Sequence, residues 1–394
     1  SVGKTEAALP LFKTALEANP KTEQFWLSYI DALIKEKQFE TAQQIIQQGR
    51  NQGVSTDKLD FLEEQLGSIN QDDHVPDVNP SQQQLGSLME HYQAGRYGDA
   101  EQLALSLTQE FPSHPFSWKV LGAVLSQTDR KAEALNAKQK VIELSPQDAD
   151  AYSNLGNTLQ ELGRLEEAED SYRQAIALKS DFGEAHSNLG VILQELGRLD
   201  EAEASLTQAI ASKPDYAEAH YNLGITLQEL GRLEEAEESY KQAIALKSDY
   251  IDAHNNLGIT LQKLRRLDKA EISYTQAIEL NPEYAEARNN LGLTLQELGK
   301  LGEAEASLTQ AIVLKPDYAE AHNNLGNTLK DMGKLKKAEA NYRQAITLKP
   351  DYTAAQVNFA ELLLSIGQHR EGLDKHMINS GSISFDLRNG LSVL

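Results

Sequence analysis

Apolar positions recur along most of the chain at the spacing of an amphipathic helix, and the predicted helices come in pairs. In residues 150–162, Ala151, Leu155, Leu159 and Leu162 fall three or four apart, which marks one stripe of a 3.6-residue helix. Gly163 follows, the residue best suited to the left-handed turn past a helix C-terminus. A second stripe runs through Leu165, Ala168, Tyr172, Ala175, Ile176 and Leu178, and an Asp, Ser or Pro separates it from the next unit. The two-helix pattern recurs every 34 residues: Gly at 122, 156, 190, 224, 258, 292 and 326, and Ala at 100, 134, 168, 202, 236, 270, 304 and 338. Such a period is the signature of stacked units, each too small to bury its apolar face alone. The small residues predict close helix crossings. Gly156 is expected to face Ala168, letting the paired axes approach to about 8–10 Å, with the next unit packing near Ala175.

The pattern resembles the tetratricopeptide repeat family, whose unit carries a large residue, Leu-Gly, Ala, an aromatic, Ala and Pro at fixed offsets. In residues 285–318 these slots hold Arg288, Leu291, Gly292, Ala304, Leu308, Ala311 and Pro316; in 217–250 they hold His220, Leu223, Gly224, Ala236, Tyr240, Ala243 and Ser248. The resemblance implies an all-α fold, an α-solenoid of helix-turn-helix repeats in a right-handed superhelix whose first helices line the concave face. The array is expected over 81–352, with units beginning at 81, 115, 149, 183, 217, 251, 285 and 319. Unit 81–114 has Ser87-Leu88 in place of Leu-Gly. Capping helices are expected over 353–380, where Phe359, Ala360, Leu363 and Gly367 keep the pattern before it fades.

The flanks differ. Residues 1–66 read as divergent helices of the same kind: Glu6–Pro20 matches only a second helix, residues 23–56 form a unit around Trp26, Tyr29, Leu33 and Ala42, and Asp57–Leu66 adds a helix. Residues 67–80 are polar with two prolines, a linker. Residues 381–394 alternate around Asn389-Gly390, which predicts a β-hairpin or the start of a following domain. A chain that starts inside a repeat and stops on apolar residues is expected to be part of a longer protein.

One register on the first helices calls for explanation: Asn154, Asn188, Asn222, Asn256, Asn290, Asn324 and Asn358. Asn disfavours helix interiors, but a carboxamide both donates and accepts, so it can pair with a peptide unit without reading a side chain. Rungs about 10 Å apart would meet an extended ligand, which advances about 3.3 Å per residue, every third residue. The register resembles the asparagine ladder in the repeats of O-linked N-acetylglucosamine transferase, which implies bidentate contacts to substrate backbone. Asn157 and Asn327 are expected to add to the same peptide-binding face. The competing reading makes these Asn duplicated structural residues, bonded to loops or water.

Charge refines the partner. The 394 residues carry 37 Lys and Arg against 59 Asp and Glu, a net charge of -22. That balance argues against nucleic acid and anionic membrane surfaces, which need clustered cations. Acidic residues recur at the start of the first helices (Asp150, Glu184, Glu218, Asp252, Glu286, Glu320) and near their ends (Glu161, Glu195, Glu229, Glu297). A neutral or basic extended peptide is the expected partner. The slots where chaperone-binding relatives clamp a carboxylate hold Ser153, Ser187, Tyr221, Asn255, Asn289 and Asn323, which argues against such a clamp. The absence of Cys excludes disulfides and Cys-ligated metals. His186, His220, His254 and His322 sit on separate rungs, too far apart to share a metal. Gly3-Lys4-Thr5 resembles the end of a phosphate loop but lacks the preceding glycine. No catalytic residue, metal or cofactor is expected. The favoured function is a non-enzymatic protein-interaction scaffold, cytoplasmic and able to self-associate through its solenoid ends. The alternative is the substrate-recognition arm of a larger enzyme such as a protein glycosyltransferase.

Overall fold

The computed structural model describes residues 9–20, 22–36, 38–56, 58–63, 66, 79–367, 383–386 and 390–393. The expectations for Gly3-Lys4-Thr5, for most of the linker and for the end of the capping region fall outside these residues. Contacts divide the chain into two compact units, one of residues 1–90 and 105–114 and one of 91–104 and 115–394.

The smaller unit contains α1 (Leu9–Ala18), α2 (Glu23–Lys35), α3 (Phe39–Asn51) and further helical residues at 58–63. Its core joins Trp26, Ile30, Leu33, Ile46, Leu59 and Leu66, with Phe12 packed against them. Trp26 is the largest of them, and its Nε1 donates to the Pro20 carbonyl at 2.8 Å.

Helices α4 (Gln82–Gln93) and α5 (Tyr97–Glu110) lead to an unbroken series of pairs. These are α6 (Pro115–Gln127) with α7 (Lys131–Leu144), α8 (Ala149–Glu161) with α9 (Leu165–Leu178), and α10 (Gly183–Glu195) with α11 (Leu199–Ser212). There follow α12 (Ala217–Glu229) with α13 (Leu233–Leu246), α14 (Ile251–Lys263) with α15 (Leu267–Leu280), and α16 (Ala285–Glu297) with α17 (Leu301–Leu314). The series ends with α18 (Ala319–Asp331) against α19 (Leu335–Leu348) and the single α20 (Thr353–Ser365). Each helix packs on its partner and on the next pair, which makes this region an all-α solenoid. From α8 onward, first helices of successive pairs also touch each other.

Glycine sets the depth of each pair. A methyl group added at Gly156 would sit 2.6 Å from the Tyr172 ring, and at Gly190 2.6 Å from Leu206 Cγ. The neighbour of Gly156 is therefore the Tyr172 ring rather than Ala168, as the missing side chain leaves room for the aromatic ring to cross the helix. Ala175 packs against Ala185 of the next pair, as the spacing predicts. Apolar clusters run across pair boundaries: Leu227, Tyr240, Leu257 and Tyr274 belong to one core. The helix-ending turn is left-handed at Gly163 (φ 72°), and Asp129 (φ 58°) and Arg265 (φ 59°) take that conformation where the other repeats have glycine.

Ion pairs on the second-helix side staple successive units. Arg198 meets Glu169 at 2.7 Å, Arg232 meets Glu203 at 2.6 Å, and Lys300 meets Glu271 at 2.7 Å, each 29 residues apart. Their cations are exposed and their glutamates half-buried, and each pair contributes about 0–1 kcal/mol.

At the end of the chain, β1 (Ile383–Asp386) pairs antiparallel with β2 (Gly390–Val393). Gly390 faces Asp386 as the first residue of β2. Asn389 lies outside the described residues. No helix among the described residues is long and apolar enough to cross a membrane.

Candidate functional site

The Asn register lies on the first helices, as the period requires, but its members do not share one chemistry. Over 255–358 the amides bond to each other in a single directed chain. Asn358 Nδ2 donates to Asn323 Oδ1 at 2.9 Å, Asn323 to Asn324 at 3.3 Å, and Asn324 to Asn289 at 2.9 Å. Asn289 donates to Asn290 at 3.4 Å, Asn290 to Asn255 at 3.3 Å, and Asn255 to Asn256 at 3.4 Å. Asn256 then donates to the Tyr221 hydroxyl at 3.1 Å, where the chain stops. Asn255, Asn289, Asn323 and Asn324 are buried. Each linking amide spends one N–H and one oxygen lone pair and keeps one of each.

Towards the N-terminal side the same register is looser. Asn154 is exposed and Asn222 is half-buried, and neither side chain is hydrogen-bonded among the described residues. Asn188 Nδ2 donates to Asn157 Oδ1 at 3.0 Å. For Asn188 and Asn222 the cause is the residue met 35 positions earlier on the preceding first helix; for Asn154 that residue is Lys119, whose ammonium is taken by Asp148. Asn or Tyr reaches across from positions 221, 255, 289 and 323, whereas Ser153 and Ser187 end one carbon from the backbone and fall short.

Asn157 and Asn327 each hold a tyrosine hydroxyl as well. Asn157 accepts from the Tyr172 hydroxyl and Asn327 from the Tyr342 hydroxyl, both at 2.7 Å. Ile225 and Ile259 stand in this slot elsewhere. Tyr274 turns to Gln262 Oε1 at 3.2 Å, while the buried Tyr240 hydroxyl has no partner. Lys138 breaks the same Tyr/Leu register. Its ammonium donates to Ser126 at 2.9 Å and Thr158 at 2.5 Å. Burial pushes its pKa down, with Glu161 opposing. Lys138 and Lys119 line a cavity of 280 Å³ together with Asn154, Asn157 and Glu161. The sequence signal was visible: Lys138 is the one charged residue in an otherwise Tyr-or-Leu register.

The histidine register ties loops. His186, His220 and His254 place Nε2 at 3.1–3.2 Å from the carbonyls of Ser180, Pro214 and Ser248, six residues back. Arg288 donates to the Pro282 carbonyl in the same way, at 3.0 Å. The slot thus selects a reaching donor, which explains why both His and Arg occur in it.

Many of the acids at the helix starts are neutralised within their own unit. Lys213 meets Glu184 at 3.1 Å, Lys315 meets Glu286 at 3.0 Å and Lys349 meets Glu320 at 3.2 Å. The Glu184 carboxyl is held below its ordinary range first by its own backbone N–H at the helix start and then by Lys213. For Glu286 the first cause is Lys315. The acids at the helix ends differ among themselves: Glu161 lies 3.7 Å from Lys131 and Glu297 2.5 Å from Arg265, whereas Glu195 accepts from Gln160 at 3.0 Å and Glu229 from Gln194 at 3.2 Å, and neither of these two meets a cation among the described residues.

Family models described as tetratricopeptide repeat match residues 1–58, 149–182, 181–249, 251–284, 273–306 and 319–352, and one described as TPR repeat matches 296–333. Together they span well over half of the chain. No curated protein sequence matches it. Among solved structures it is similar to the Cut9–Hcn1 hetero-tetramer of APC/C (14% identity, 91% of this chain and 82% of that one, TM-score 0.51). It is also similar to TTC0263, a thermophilic TPR protein in Thermus thermophilus (31% identity, 46% and 99%, TM-score 0.39). A third is YrrB, described as a TPR protein with an unusual peptide-binding site (26% identity, 48% and 96%, TM-score 0.43).

Proposed function

The chain belongs to the tetratricopeptide repeat family, and from that premise we propose that it is a protein-interaction scaffold that holds an extended peptide along its inner face. The observation that carries this reading is the unspent hydrogen-bonding capacity of the looser Asn rungs. Asn154 and Asn222 have carboxamides with no side-chain partner, and Asn188 spends only one N–H. An extended peptide crossing successive first helices meets these groups with its own N–H and C=O. The tighter half, 255–358, acts as a rigid support, its amides already joined to each other. Asn290 and Asn324 then contribute through stiffness more than through contact. The uncompensated Glu195 and Glu229 favour a neutral or basic peptide over an acidic one.

Selection of displayed random dodecapeptides on the intact chain tests the proposal. Peptides enriched on the parent chain are expected to lose at least tenfold affinity on the Asn154→Ala/Asn222→Ala variant, with unchanged helical circular dichroism. Equal affinity for parent and variant would refute a recognition role for the ladder.

A further inference from the structure

A lysine at the end of four of the second helices does two jobs in the array. In α10/α11, Lys213 pairs with Glu184 and lies 4.7 Å above the Tyr216 ring. Lys247 lies 4.7 Å above Tyr250 and 3.7 Å from Glu218; Lys315 lies 4.9 Å above Tyr318 and pairs with Glu286; Lys349 lies 5.2 Å above Tyr352 and pairs with Glu320. One ammonium therefore satisfies both a carboxylate and an aromatic face. In α14/α15 the equivalent residue is Asn281, whose side chain instead accepts from the backbone N–H of Glu283 at 3.1 Å. Asp252 and Tyr284 stand where the carboxylate and the ring should share a cation. Asp252 has no cationic partner among the described residues, and its Oδ1 accepts only from the Tyr284 hydroxyl at 3.2 Å.

The surroundings point to a guest at this place. Tyr221, the single aromatic residue in a register of Ser and Asn, stacks on Tyr250 with ring centroids 4.8 Å apart and approaches Tyr240 at 5.9 Å. The Tyr240 hydroxyl is fully buried without a well-formed hydrogen bond, beside an Asn256 amide that already donates to Tyr221. Buried hydroxyls are seldom left so. Burial first, and then the negative charge of Asp252, push the Tyr284 phenol up.

We propose that Asp252, Tyr284 and Tyr221 form a receptor for a Lys or Arg side chain of the bound peptide, which takes the place of the lysine this unit lacks. The inference rests on the groove reading above and adds to it a fixed basic position in the partner. Its test uses the same displayed dodecapeptides and one diagnostic variant, Asn281→Lys, which gives this unit the residue its neighbours have and so is expected to fold. Peptides enriched on the parent chain should share a basic residue at one position, and replacing that residue with citrulline or norleucine should weaken binding at least tenfold. On Asn281→Lys the basic peptide should lose that advantage, while the citrulline or norleucine peptide binds as it does to the parent. If the enriched peptides carry no fixed basic residue, or if Asn281→Lys keeps the full preference, the receptor is refuted and the groove stands. If no peptide is enriched at all, the groove reading falls and the receptor with it.

Discussion

The first helices α8, α10 and α12 and their counterparts α14, α16, α18 and α20 present the same asparagine register, yet one stretch is open and the other is self-bonded. Asn154 and Asn222 have free carboxamides, whereas Asn290 and Asn324 are links in a chain from Asn358 to Tyr221. The helices, the period and the residue itself are alike. The difference lies one residue earlier, where Ser153 and Ser187 give way to Asn255, Asn289 and Asn323. A repeated residue is thus not a repeated function; the neighbouring unit decides whether an amide faces a ligand or another amide.

The largest effect is expected from cutting the bonded stretch. Asn289→Ala removes the acceptor of the buried Asn324 and the donor to Asn290, and stranding buried amides costs about 1–3 kcal/mol each. Asn154→Ala at an exposed rung should stay within about 0.5 kcal/mol. Because linear arrays need not unfold as one unit, hydrogen exchange of the amides in α16 and α18 is the appropriate measurement. Equal protection in both variants would erase the distinction.

A second contrast lies beneath the register. Tyr342→Phe strands Asn327 and should cost about 1 kcal/mol. Tyr240→Phe removes a hydroxyl that has no partner and should be neutral or slightly stabilising by urea denaturation. Building should also be possible. Ser187→Asn should give Asn222 the partner that Asn324 has, raise stability by about 0.5–1.5 kcal/mol and weaken peptide binding by occupying a rung.

The smallest effect is electrostatic. The carboxyls of Glu184 and Glu286 are depressed, so the stability they add is present above their ordinary value near 4.5 and is lost as pH falls through their lower folded values. Both are about half exposed, so each contributes only a fraction of a kcal/mol. Molar salt should weaken the Glu286 contribution more, since its first cause is Lys315 while that of Glu184 is a backbone N–H. Carboxyl titrations by NMR at low and high salt would measure this directly.

Periodic sequence made the fold legible. Leu155, Leu159 and Tyr172 show their helical stripe without any partner in view, and Gly156 declares a close crossing because nothing larger could stand there. The identity of what crosses was not legible: Tyr172, not Ala168, fills the space, since helix pitch fixes which residues share a face but not which side chain reaches over. The candidate site was legible as a register and not as a chemistry. Asn157 and Asn327 read as rungs and also hold tyrosine hydroxyls, because the slot opposite them carries Tyr172 and Tyr342.

Local physics in the sequence determined the helix pairs, their 34-residue step and the placement of small residues, because propensity and amphipathic period act within a few residues of chain. Only the tertiary structure decided which carboxamides are open, which carboxylate lacks its lysine and which hydroxyl is stranded. Those depend on residues 12 to 35 positions apart meeting at hydrogen-bond distance, and a difference of one side-chain carbon, Ser against Asn, is enough to make or break the contact.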